Sequence, residues 1–249
     1  MARQCIFCSN PADSKEHVWP AWILRQLDID RPMRHKLGRN PAKIVPKAEL
    51  QVRCVCNTCN QGWMHDLEEL NKPIIGKLLE GIAMSLDTTQ QFTVARWAVK
   101  TSMIQDAMDT RNRQMFYTAL EHTAIRSKSA IPENTAVWLG KYSLRTLSID
   151  GYDVGLDFHD PDSKVPELVN GCVSTIVVGH LMLQVFTAHV PEKYSNRPFD
   201  VTCTVPGPWD RLLIPVWPVT VQVNWPPPLF LKGTGLDKLN GRLRGGISL

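Results

Sequence analysis

The feature that most restricts how this chain can fold is a pair of Cys-x2-Cys motifs, formed by Cys5 and Cys8 and by Cys56 and Cys59. Each motif supplies two thiolates from one tight turn, and four thiolates are a common ligand set of a structural zinc ion. The sequence therefore predicts one zinc site that fastens two distant pieces of chain together. A redox dithiol is the alternative for either motif alone, but two motifs without a thioredoxin-like strand before them favour the metal.

Composition and the first residues indicate a folded protein in a reducing compartment. The chain has 249 residues, of which 43% are hydrophobic and 21% charged, so a sizeable core is expected. Its seven cysteines are an odd number, which suits metal binding better than a disulfide framework. Neither an export signal nor a run of about 18 apolar residues occurs, and we therefore expect a cytoplasmic protein without membrane contact.

The segment between the two motifs is strongly basic. Residues 31–53 hold seven Lys or Arg residues against one Glu, a net charge of +6, whereas the whole chain carries +4. Such a density of positive charge suits a phosphate backbone, and a solvated basic loop is the alternative. The candidate nucleic-acid contacts are Arg34, Lys36, Arg39, Lys43 and Arg53.

Local patterns predict short elements around the motifs. Residues 22–27 have the spacing of an amphipathic helix, and the alternation over 50–53 predicts a strand that leads into the second motif. After Cys59 a helix is expected, with Asn60 and Trp63 on its inner face. In a regular α-helix a residue five positions further lies about 140° around the axis. We therefore expect His65 at the surface, away from Asn60.

The rest of the chain predicts an α+β protein. Pro73 is expected to end the first unit, which divides the chain into a zinc-bound module, 1–72, and an accessory domain, 73–249. Helices are predicted over 74–86, 93–110 and 114–126. Stretches rich in Val, Ile and Thr predict a largely antiparallel sheet with strands at 135–139, 144–149, 153–158, 174–178, 182–188, 201–205 and 212–223, with a turn at Gly179 between the two central ones.

Three side chains that can carry chemistry, a carboxylate, an imidazole and an amide, stand beside the cysteine motifs. Glu16 and His17 belong to the stretch Glu-His-Val-Trp-Pro after the first motif, and Asn60 directly follows the last cysteine. In this order the motifs resemble an HNH endonuclease of the zinc-stapled ββα-metal kind. The resemblance implies a β-hairpin packed on a helix, with His17 as the general base. It also implies a catalytic Mg²⁺ or Mn²⁺ ion held by Glu16 and Asn60.

The chemistry of DNA cleavage agrees with these roles. A neutral imidazole can activate water, and a hard cation on oxygen ligands can stabilise charge at the phosphate. A zinc ion with four thiolates has no open position and is expected to be structural only. Two positions depart from the family pattern: Gln51 stands where an Asn is common, and Trp63 occupies a region where a Lys is common.

Two hypotheses follow from the sequence. The first is a metal-dependent endonuclease acting on DNA, with RNA not excluded, in a setting such as bacterial or phage defence. In that case residues 73–249 would select the substrate, mediate homodimer formation or regulate the nuclease. The second is a catalytically inactive zinc module that binds nucleic acid or a protein partner.

Overall fold

The structure is a computed structural model, and the residues it describes are 3–28, 33–35, 43–45, 50–108, 114–127, 130–158, 167–192, 202–203, 207–233, 235–242 and 247–248. Its mixed α+β class with antiparallel sheets confirms the predicted class. In chain order the elements are β1 (Ser14–His17), α1 (Ala21–Gln26), β2 (Met33–His35), β3 (Lys43–Val45), β4 (Gln51–Val55), α2 (Asn57–Cys59), a π-helical turn (Asn60–Met64), α3 (His65–Leu79), β5 (Met84–Leu86), α4 (Thr88–Met108), α5 (Ala119–Arg126), β6 (Thr135–Phe158), β7 (Glu167–His189), β8 (Thr202–Cys203), α6 (Trp209–Leu212), β9 (Leu213–Trp217), β10 (Val223–Trp225), α7 (Gly235–Arg242) and β11 (Ile247–Ser248). No helix within these residues combines the length and the apolar character needed to cross a bilayer.

A β-β-α arrangement forms around the cysteine motifs. Strands β1 and β4 pair antiparallel, with His17 opposite Gln51 and Glu16 opposite Val52, and the register shifts between Ser14 and Glu16. The helical segment that begins with α2 follows β4 directly. A β-β-α arrangement is what the resemblance implied for this part of the chain, whereas the strands β2 and β3 between β1 and β4 were not predicted.

Helix α3 continues through Pro73, where the sequence predicted an end. Proline removes one backbone donor, and the carbonyl that loses its partner belongs to Glu69. Both Pro73 and Glu69 are exposed, so water can satisfy that carbonyl and the helix persists. The predicted boundary between residues 72 and 73 lies inside this helix, and buried residues on both sides of it, Leu67 and Ile74, belong to one core.

Helix α4 lies at the centre of the molecule. Every residue from Val94 to Ala107 is buried, which is typical of a helix surrounded by other elements rather than one with a single apolar stripe. It contacts α3 and β4 on the side of the cysteine motifs and β6, β7 and β9 on the other side. One hydrophobic cluster therefore joins Phe7 and Ile23 to Trp97 and Val178.

The main sheet has three strands in the order β7-β6-β9 and is built on a long antiparallel hairpin. The sequence predicted several short strands here, because Gly, Asn and Asp interrupt the apolar stretches. In the structure β6 runs through these residues with an irregularity between Lys141 and Thr146, and β7 is continuous across Gly179, which pairs with Thr146. The turn expected at Gly179 is thus absent, because β7 pairs with β6 on both sides of this glycine, which takes a φ of +61° within the strand.

We expect Gly179→Ala to destabilise the protein by at least about 2 kcal/mol. An added Cβ would stand 2.3 Å from the carbonyl oxygen of Leu79 at the end of α3, and the positive φ disfavours any side chain. The free energy of unfolding from urea titration measures the effect. Gly76→Ala, which lies within α3 and meets only the flexible Gln26 side chain at 3.2 Å, is the matched control and should stay within about 1 kcal/mol of wild type. Equal stability of the two variants would contradict the close approach of Gly179 to the Leu79 carbonyl.

Candidate functional site

The four cysteines of the two motifs form one compact cluster. Their Sγ atoms all lie within 4.8 Å of one another, and Cys8 Sγ lies 3.5 Å from Cys56 Sγ and 3.7 Å from Cys59 Sγ. Four sulfurs placed about 2.3 Å from one tetrahedral ion stand about 3.8 Å apart, so the cluster has the size of a zinc site. Within the described ranges no further group of three or more His, Cys, Asp or Glu residues converges in this way. The cluster can hold a structural metal such as zinc.

Backbone and side-chain donors surround Cys56. Its Sγ accepts hydrogen bonds from the backbone N–H of Cys59 at 3.4 Å and from Asn10 Nδ2 at 3.8 Å. Burial raises the pKa of the Cys56 thiol, but the Cys59 N–H and the neighbouring thiols outweigh burial and lower it to about 7. Cys54, by contrast, is outside the cluster, and burial raises the pKa of its thiol to about 12. The donors thus favour the thiolate form that a metal requires at Cys56.

A cleft of about 180 Å³ opens beside β1 and contains the three residues singled out from the sequence. Its lining residues are Glu16, His17, Pro20, Ala21, Asn60, Gln61, His65 and Glu68. His17 comes from the end of β1, and Asn60 opens the π-helical turn directly after Cys59. Adjacent residues of an ideal strand point to opposite faces, yet Glu16 and His17 both reach this cleft. The register shift just before Glu16 and the end of the strand at His17 mark the backbone irregularity that allows this.

The His17 ring is held by the strand opposite. The side-chain amide of Gln51 lies 2.6 Å from His17 Nε2, and the two residues are direct partners in the β1–β4 pairing. An amide bonded to one ring nitrogen fixes which nitrogen carries the proton and how the ring is turned. Gln51, a departure from the common Asn, therefore still contacts the candidate base.

The Asn60 amide is held by β1. Its Nδ2 donates to Ser14 Oγ at 2.8 Å and to the Lys15 carbonyl at 3.3 Å. Because the nitrogen is engaged with the strand, the oxygen is the end of the amide that can serve a ligand in the cleft. The turn that follows Cys59 and strand β1 together set the position of this side chain.

A buried lysine from α4 binds the two carboxylates of the cleft. Lys100 Nζ lies 3.1 Å from Glu16 Oε1 and 3.4 Å from Glu68 Oε1, and the exposed fractions of the side chains are 1% for Lys100, 5% for Glu16 and 20% for Glu68. Burial alone would lower the pKa of Lys100, but the two carboxylates raise it above its usual value, so the ammonium stays charged. Burial raises the pKa of Glu16 against the opposing effect of Lys100.

No sequence pattern indicates that Lys100 is part of this site. It is separated from Glu16 by 84 residues, and no motif links the two. The signal that could have revealed it is a lysine within the predicted helix over 93–110, near the apolar residues Trp97, Val99 and Met103, since a buried charge requires a partner.

The π-helical turn also brings His65 to the cleft. The backbone N–H of His65 bonds to the Asn60 carbonyl, so these two residues lie one wide turn apart. The expectation that His65 lies away from Asn60 is therefore not met, although its side chain is 55% exposed. Gly62, with φ −96° and ψ −115°, breaks the regular helix and was the signal available in the sequence.

Trp63 packs between the first cysteine motif and α4. Its ring meets the Phe7 ring edge-on at a centroid distance of 4.9 Å, and the guanidinium of Arg96 lies 5.4 Å from its centre. Arg96 in turn donates to the carbonyl of Ile125 at the end of α5. The position where the family commonly has a Lys is thus used for packing here.

The structure describes three of the five candidate nucleic-acid contacts, Arg34, Lys43 and Arg53. Arg53 is exposed on β4. Arg34 and Lys43 belong to the short hairpin formed by β2 and β3, where Arg34 is paired with Ile44. Lys36 and Arg39 lie outside the described residues. Contact between these side chains and DNA stays a prediction.

No protein family, curated protein or solved structure matches this chain. What the cleft can do therefore follows from its own residues.

Proposed function

We propose that this protein is a metal-dependent endonuclease that hydrolyses phosphodiester bonds in DNA in the manner of HNH enzymes. The observation that carries the proposal is the presence of an imidazole, a carboxylate and an amide, from His17, Glu16 and Asn60, in one cleft beside a four-cysteine cluster. These are the groups needed to activate water and to hold a hard cation at a phosphate.

His17 is the general base in this proposal. Gln51 Nε2 lies 2.6 Å from His17 Nε2. If this amide is turned by 180°, its oxygen accepts from the Nε2–H of His17, and Nδ1 then carries the lone pair that can take a proton from water. The ring is half-buried, so it is both oriented and reachable from solvent. Gln51 acts through His17 and is a positioning residue.

The catalytic ion would be Mg²⁺ or Mn²⁺, held by Glu16 and Asn60. A carboxylate and an amide oxygen are hard ligands that fit these ions, which keep several waters and take further oxygens from a phosphate. When bound, the ion supplies charge stabilisation at the phosphate. Zinc in the four-cysteine cluster would be structural, because four thiolates leave no open position.

The alternative is a catalytically inactive zinc module that binds nucleic acid or a protein partner. The observation that favours it is the ion pair between Glu16 and Lys100, which already gives this carboxylate a cation. The basic segment around Arg34 and Lys43 serves either function, since phosphate contacts require no catalysis.

One assay separates the two functions. The purified full-length protein is incubated with supercoiled plasmid DNA in Mg²⁺, in Mn²⁺ and in EDTA, and a matched single-stranded RNA is tested in parallel. The nuclease is expected to produce nicked plasmid only with the divalent ions. Binding of DNA without cleavage in any of these ions would establish the inactive module instead.

We expect Gln51→Leu to lower kcat for plasmid nicking by about tenfold with little change in KM. Leucine keeps the size of the side chain but removes the amide that orients the His17 ring. Initial rates at several DNA concentrations measure both constants. Gln51→Glu has a side chain of the same length that ends in an oxygen, so it should recover most of the nicking rate. A change in KM with kcat unaltered would contradict the positioning role.

A further inference from the structure

The cation at the back of the cleft comes from the second part of the chain. Lys100 belongs to α4, and its Nζ contacts Oε1 of Glu16 and Oε1 of Glu68. Both carboxylates line the cleft, whereas Lys100 is almost completely shielded from solvent. The ammonium therefore lies behind the wall of the cleft, between two of its acidic groups.

Two neighbouring carboxylates without a counter-charge form an attractive position for a divalent ion. Mg²⁺ and Mn²⁺ bind carboxylate oxygens, and two negative charges attract a doubly charged ion more strongly than one. In this protein a single ammonium already fills that position. Because it engages Oε1 of Glu16, Oε2 is the oxygen of this carboxylate that can serve an ion on the Asn60 side of the cleft.

We propose that Lys100 is a positioning residue that keeps the divalent ion out of the space between Glu16 and Glu68. The ion is thereby confined to the outer oxygen of Glu16, next to Asn60 and within the same cleft as His17. This inference rests on the proposed nuclease function. It also means that α4, and not only the cysteine-bearing module, completes the active site.

A purely structural role for Lys100 has a different consequence. If Lys100 served only to neutralise buried charge, its removal would weaken the fold and leave the ion affinity unchanged or lower. If Lys100 excludes the ion, its removal opens a second position between Glu16 and Glu68. The affinity of the protein for the divalent ion then rises, but the ion lies too far from Asn60 to support cleavage. The direction of the affinity change therefore separates the two roles.

The test is Lys100→Met, which keeps the length of the side chain and removes its charge. Mn²⁺ affinity, from electron paramagnetic resonance of free Mn²⁺, is expected to increase by at least about tenfold. The kcat for plasmid nicking should fall by at least about 30-fold with a small change in KM. In Lys100→Met combined with Glu68→Gln, the affinity should return to within about threefold of wild type. An unchanged or lower Mn²⁺ affinity in folded, zinc-loaded Lys100→Met overturns the inference.

A second measurement uses the wild-type protein in case Lys100→Met does not fold. Crystals grown with Mn²⁺ should show an anomalous peak beside Glu16 Oε2, with Lys100 still bonded to Oε1. A peak between Glu16 and Glu68, a peak elsewhere or no peak overturns the inference. Failure of the nuclease proposal gives a different result. In that case the wild-type protein never nicks DNA, although Lys100→Met still binds Mn²⁺ more tightly than wild type does.

Discussion

Replacing His17 by alanine is expected to lower the rate of plasmid nicking by about two to four orders of magnitude. His17 supplies an imidazole that can accept a proton from water, and of the two imidazoles that line the cleft it is the one held by Gln51. Its loss should not disturb the core, because the side chain lies at the end of β1 and is half-buried. Single-turnover nicking rates in Mn²⁺, together with zinc content and circular dichroism, measure the effect on catalysis and on folding separately.

Lys15→Ala is the matched control for this prediction. Lys15 precedes Glu16 on the same strand, and its side chain is exposed, while its backbone carbonyl still accepts from Asn60. We expect its nicking rate to stay within about threefold of wild type, since surface substitutions have small effects. A His17→Ala protein that cuts as fast as Lys15→Ala would show that the base is another group or that the cleft is not the active site.

Replacing Cys59 by serine is expected to release the zinc ion and to lower the melting temperature by about 10 °C or more. Binding of zinc to four thiolates is coupled to folding, and the cluster joins the first motif to the turn that carries Asn60. The loss of a ligand therefore removes both stability and the position of a site residue. Metal analysis of the purified protein and thermal unfolding measure the two effects, and nicking should be lost with them.

The control for the zinc prediction is Cys54→Ala. Cys54 is fully buried and only two residues from Cys56, but it lies outside the cluster. Its replacement removes one sulfur from the core and should cost about 1–2 kcal/mol without loss of zinc. If Cys59→Ser retained one equivalent of zinc with an unchanged melting temperature, the four-cysteine cluster would not be the metal site.

The sequence predicted the parts of the site that depend on short spacing. Each Cys-x2-Cys motif places two sulfurs by local turn geometry, and Asn60 is carried with Cys59 because the two are adjacent. That Glu16 and His17 both reach the same cleft also depends on the pairing of β1 with β4 and on the register shift before Glu16. The cysteine cluster is therefore confirmed as a group that can hold a metal, while the nuclease roles of His17, Glu16 and Asn60 stay predictions.

The features that the sequence did not predict depend on long-range contacts or on broken periodicity. Lys100 joins the cleft through tertiary packing of a helix that is distant along the chain. His65 reaches the cleft because Gly62 breaks the regular helix, which a calculation at about 100° per residue cannot anticipate. Strand β7 is continuous through Gly179 because it pairs with β6. The strand propensities of single residues cannot predict these hydrogen bonds to a partner strand.

The position of α4 determines when this protein can acquire its shape during synthesis. The helix follows the cysteine motifs in the chain but fills the centre of the molecule. A ribosome-bound chain that has emerged only as far as α3 holds every residue that lines the cleft but lacks Lys100, the cation that pairs with Glu16 and Glu68. The ion pairs behind the cleft are thus completed only after Lys100 has been translated, and an N-terminal fragment that ends at α3 lacks the cation of its two carboxylates.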